Sequence, residues 1–101
     1  MQSKIFSSLG LATKAGKTQS GEFCTEKAVK SYKAFLVIVA EDASDNTKKM
    51  FTNMCTYYQV PVYFYSNKNE LGRAMGKEMR ASLALLDQGL ADAVTKVMEA
   101  K

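Results

Sequence analysis

The chain has no histidine, which removes the usual general base and the commonest metal ligand at neutral pH. Its two cysteines, Cys24 and Cys55, are too few and too far apart for a disulfide framework or a zinc ribbon. Two isolated thiols without a secretory leader point to a reducing cytoplasm. The longest apolar run, Ala34–Ala40, falls far short of the roughly 20 residues that span a bilayer, so no membrane partner is expected. Proline occurs once, at Pro61, and no linker, repeat or low-complexity tract divides the chain. Neither a phosphate-cradling GxxxxGK[ST], nor a dinucleotide fingerprint, nor a catalytic triad is present. The expectation is a cytoplasmic single domain, residues 1–101, with no catalytic residue, no metal site and no cofactor.

What is present is an ordinary globular composition, 47% apolar over 101 residues, enough for one core. Lys and Arg outnumber Asp and Glu by 14 to 10, a net +4 that suits a polyanion without demanding one.

Ile5, Leu9 and Ala12, with Phe6 alongside, predict a helix from about Gln2 to Ala15, closed by Gly16 between lysines. Thr18–Ser20 is at most a brief edge strand. Gly21 opens a second helix with Cys24, Ala28 and Tyr32 on one side and Lys27 and Lys30 on another. Phe35–Ala40 lacks alternation, as a strand covered on both faces does. Ser44 caps the next helix with Asp45 in its first turn, and Thr47, Met50, Phe51, Met54, Cys55 and Tyr58 form its apolar stripe. Pro61 stops that helix before a strand at Val62–Tyr65. Asn67 or Asn69 caps a short helix carrying Leu71 and Met75 and closed by Gly76. Ala81–Leu86 is a further strand, and Leu90, Val94, Val97 and Met98 mark a last amphipathic helix. This alternation predicts an α/β fold: a three-layer α-β-α sandwich around a small mixed sheet of about four strands, mostly parallel at its centre.

In such a sheet the loops after the strands share one edge. Three segments would meet there as one cationic cradle for an anion. Gly21 permits close backbone approach, and the amides of Glu22, Phe23 and Cys24 at a helix start can donate to a phosphate oxygen. Lys27, one turn in, and Lys30 add charge. Glu41, Asp42 and Ser44 shape the second segment, and Lys77, Met79 and Arg80 belong to the third. Taken one at a time, these residues have plainer readings. Gly21 simply starts a helix, the lysines line a solvated face, Cys24 is a buried structural cysteine, and the tyrosines pack. A nucleophilic Cys24 has no histidine to activate it.

Read together, the order is more specific. Gly21 and Lys27-Ala28-Val29 at fixed spacing, the strand Leu36–Ala40 and Glu41-Asp42-Ala43-Ser44 resemble the kink-turn-binding ribosomal protein family, the archaeal seven-Ae and eukaryotic thirty-e type. Gly10-Leu11-Ala12, Ala15-Gly16-Lys17, Asp42–Thr47 and Leu71–Lys77 are most similar to its bacterial, ribosomal-protein-like branch. The similarity covers nearly the whole chain. It implies an α-β-α sandwich that recognises structured RNA, ribosomal or other, through the start of the second helix and two neighbouring loops. Partners would then include the ribosome or translation factors. Gly21 and Lys27 match the family's motif, while its usual Asn-Glu pair falls on Phe23-Cys24. Lys77 and Arg80 match the family's loop that closes over a flipped nucleotide. The alternative is a protein-interaction module of the same fold that has lost kink-turn specificity.

Overall fold

The computed structural model describes residues 4–100. Within them α1 (Lys4–Lys14), β1 (Thr18–Ser20), α2 (Glu22–Lys30), β2 (Leu36–Val39) and α3 (Asp45–Tyr58) precede β3 (Val62–Phe64), α4 (Lys68–Ala74), β4 (Ser82–Leu85) and α5 (Gln88–Glu99). Each expected element is there, with bounds shifted by a residue or two. The expected start of the first helix at Gln2 lies outside the described residues.

The four strands form one sheet in the order β1-β4-β2-β3. β2 and β4 are buried along their whole length because helices cover both faces. Leu36, Ile38, Leu83 and Leu85 pack with α1, α4 and α5 on one side, whereas Val37, Val39 and Ala84 pack with α2 and α3 on the other. Alternate residues of each strand point to opposite faces, so one apolar run serves two cores.

The sheet's centre corrects the sequence-based expectation. β2 pairs with β3 in parallel, but β4, between β1 and β2, is antiparallel to both. A parallel fourth strand would need a crossover that carries the chain back across the sheet. The seven residues of α4 rise only about 10 Å, and the chain then returns alongside the helix. The N–H of Lys77 donates to the Gly72 carbonyl at 2.8 Å, and that of Arg80 to the Lys68 carbonyl at 3.1 Å. β4 therefore begins at the end where β3 finished.

The buried face of α2 is a second correction. It consists of Thr25, Ala28 and Val29, so Cys24 and Tyr32 are exposed. Packing over Val37, Val39 and Ala84 sets this rotation, and it buries the Thr25 hydroxyl where Ser82 Oγ donates to it at 3.3 Å.

Candidate functional site

β1, β2 and β3 all run toward one end of the sheet, and β4 starts there. Four chain segments consequently meet at that end. The N–H of Gly21 donates to the Ser82 carbonyl at 2.9 Å, that of Ala40 to Ala81 at 2.8 Å, and that of Glu41 to Ser66 at 2.8 Å. Three of these segments are the ones expected from sequence. The fourth, Ser66–Lys68, was missed; a polar turn after a strand gives no sign of which neighbours it will bridge.

The start of α2 is the distinctive element here. Gly21 has φ 90° and ψ 159°, a backbone region essentially reserved for glycine. No side chain caps this helix, whereas Ser44, Asn67 and Asp87 accept first-turn N–H groups in α3, α4 and α5. The amides of Glu22, Phe23 and Cys24 thus have no acceptor among the described residues. Aligned donors at the positive end of a helix dipole suit an anionic oxygen. Lys27 lies one turn further on, exposed and without a carboxylate partner among the described residues.

The second and third segments serve largely as scaffold. Asp42 Oδ1 accepts from the Lys68 N–H at 2.9 Å and joins the β2–α3 loop to the start of α4. Ser44 Oγ accepts from the Thr47 N–H at 3.1 Å, and its hydroxyl donates to Thr47 Oγ1 at 3.0 Å. Glu41 is exposed. Arg80 Nε donates to Ser20 Oγ at 3.0 Å and its Nη1 to the Met79 carbonyl at 2.9 Å, which ties the third segment to the end of β1. Met79 is 58% exposed. Lys77 is exposed beside the middle of α4, set back from the sheet end. Lys30 is not brought to the loops. It ends α2, about 12 Å along the axis from Glu22, and is paired with Glu26 at 2.7 Å. The hydrogen bond that Lys30 Nζ donates to the Glu26 carboxylate raises the ammonium above its ordinary pKa.

This arrangement of sheet, uncapped helix and loops has relatives of known family. Residues 3–95 match the Ribosomal protein L7Ae/L30e/S12e/Gadd45 family. The chain belongs to that family. It is 42% identical, over 93% of its length and 94% of the other's, to a protein of Bacillus subtilis (strain 168) called RNA-binding protein YlxQ. It is 33% identical to the large ribosomal subunit protein eL30 of Candida albicans, over 95% of this chain and 92% of that one. Among solved structures, a protein of unknown function from Bacillus halodurans C superposes with a TM-score of 0.94 at 36% identity, covering 97% and 99% of the two chains. The Giardia lamblia 15.5kD RNA binding protein shares the fold, with a TM-score of 0.80 at 22% identity, covering 99% and 89%.

Two side-chain expectations change on the structure. Cys24, expected to be buried, is exposed, because the inward face of α2 begins at Thr25. Phe23 beside it is 75% exposed. Tyr57, expected to pack, is 78% exposed. Phe23, Cys24 and Lys27 line a groove of about 280 Å³ that reaches Lys33 and Leu86. The sheet end is also not uniformly cationic. Glu22 at the start of α2 and Glu41 and Glu78 on the loops are exposed there.

Proposed function

We propose that this chain is a cytoplasmic, non-catalytic single-domain protein that binds structured RNA of the kink-turn kind and works with the ribosome or another part of translation. The observation that carries this reading is the uncapped start of α2, with three amides, unpartnered among the described residues, beside Lys27 at the end of the sheet where the loops gather. In support, the similar YlxQ protein is named as RNA-binding and the similar eL30 as a large-subunit protein.

The amides and Lys27 hold phosphate oxygens, and Gly21 lets the RNA backbone come close. Asp42, Ser44 and Arg80 fix the loops on either side, while Lys77 and Met79 face the strand as it leaves the site. By the family resemblance drawn from sequence, Phe23 and Cys24 fall at the positions of the family's usual Asn-Glu pair. Neither offers a side-chain amide or carboxylate to a guanine edge. Phosphate contacts position, whereas base contacts specify, so this chain recognises shape more than sequence. The exposed Phe23 ring stacks on an unpaired base instead.

The test is a titration of kink-turn, internal-loop and plain duplex RNA across a salt series, with wild type and Lys27→Ala. Both structured RNAs should bind tighter than duplex. Lys27→Ala should flatten the slope of log K against log salt by about 0.7–0.9, the value of one phosphate contact. Equal binding to duplex, or an unchanged slope, contradicts the assignment.

A further inference from the structure

The outer surface of α2 does not end at the loop site. Phe23, Lys27 and Lys30 follow one another at helical spacing, and Ser31 ends the helix beside them. These residues line a second groove of about 350 Å³ along the helix. At its far end Tyr32 and Tyr57 both pack edge-on against Tyr58, with ring centroids 5.4 and 4.9 Å away. Tyr32 directly follows Ser31, so the rings adjoin the end of the groove.

Tyr32 has φ 60° because it ends α2: its N–H donates to the Val29 carbonyl at 3.1 Å and that of Lys33 to the Ala28 carbonyl at 3.0 Å. Its ring gains an edge contact and stays 75% exposed. Packing accounts for the turn but not for the exposed ring or for the charge around it. Lys27, Lys30 and Lys33 flank the track, against Glu26, already held by Lys30, and Glu22 at its start. Rings separated by lysines suit a single-stranded polyanion with flat bases better than a continuous apolar protein surface.

We propose that this track binds a short single-stranded extension of the RNA held at the loops. The bases stack on Phe23 and the tyrosine cluster, and Lys27, Lys30 and Lys33 follow the phosphates. From Phe23 to Lys30 the helix rises about 10 Å, room for about three stacked nucleotides at ~3.4 Å each before the rings are reached. The proposal rests on the RNA-binding reading above for the orientation of the strand, but not for the stacking itself.

The experiment compares an internal-loop RNA, blunt or carrying four unpaired uridines at either end, on wild type and on Tyr32→Gly/Tyr57→Ser. Glycine suits the left-handed position, and Tyr57 is exposed, so the variant keeps its fold. An extension at one end should tighten wild-type binding about tenfold, and the variant should lose that gain, with the blunt RNA as internal reference. Oligouridine alone should quench tyrosine emission, which no tryptophan masks. Quenching without binding of the loop RNA would sink the proposed function and leave the track standing. No quenching and no gain from either extension overturns the track, as does a gain that survives in the variant. Concentration-dependent dimerisation lost on Tyr57→Ser would instead assign the surface to a second copy of this chain.

Discussion

Phe23 and Cys24 show how far two side chains can alter a shared scaffold. They stand exposed at the start of α2, whose first amides have no acceptor among the described residues, at the positions where the family resemblance drawn from sequence implies Asn and Glu. Restoring that chemistry with Phe23→Asn/Cys24→Glu should raise the preference for kink-turn over duplex RNA by about 1–3 kcal/mol, by analogy with base readout in DNA. A competition titration measures this, and an unchanged ratio would show that the pair is not at the readout position. The two thiols make a second contrast. Cys55 is 1% exposed, and burial pushes its thiol up to about 11. Below the ordinary thiol value both folded and unfolded chains keep the proton, and stability is unaffected. As the pH climbs from about 9 toward about 11, the unfolded chain ionises first and the fold loses stability. Urea midpoints of wild type should thus fall more steeply than those of Cys55→Ala over that window. Alkylation of the native protein should modify Cys24 and spare Cys55.

Among the elements, α4 and its return loop decide both the direction of β4 and the placement of the third segment. A Cβ on Gly72 would lie 1.9 Å from the Glu78 carbonyl oxygen, so only glycine lets the loop lie against the helix. Gly72→Ala should cost about 1–3 kcal/mol, as overpacking does. For a domain of this size that lowers Tm by at least about 4 °C, measurable by calorimetry. The displaced loop should also weaken RNA binding through Lys77, Met79 and Arg80, whereas Gly16→Ala, in open space far from the site, should not. Elements of this kind were readable in advance where side chains repeat. The stripe from Thr47 to Tyr58 and the cap at Ser44 are local patterns, and the helix formed as they indicated. The face of α2 was read one residue out of phase, because a nine-residue helix with Cys, Thr and Ala has no strong apolar stripe. What decides its rotation is packing over Val37, Val39 and Ala84, which also buries the Thr25–Ser82 contact between residues 57 apart in sequence.

For the molecule as a whole, the three converging segments were legible because β1, β2 and β3 share a direction, as an alternating α/β chain suggests. The antiparallel β4 was not legible, since its direction depends on a return path that no local pattern records. The charge distribution was misread for a similar reason: composition sums charges, while the fold places Glu22 at the start of α2 and Glu41 and Glu78 on the loops. Among the described residues no helix is long and apolar enough to cross a membrane. The molecule offers instead one end built of loops and helix starts, with the outer face of α2 leading away from it.

On the proposed reading, RNA meets this end through backbone donors at the start of α2. Amide chemical shifts followed by NMR during titration with an internal-loop RNA report on those donors one by one. Glu22, Phe23 and Cys24 should shift first and furthest, with smaller changes in the Glu41–Ser44 and Lys77–Arg80 loops. Shifts confined to α1 and α5, with the α2 amides unmoved, would contradict that reading.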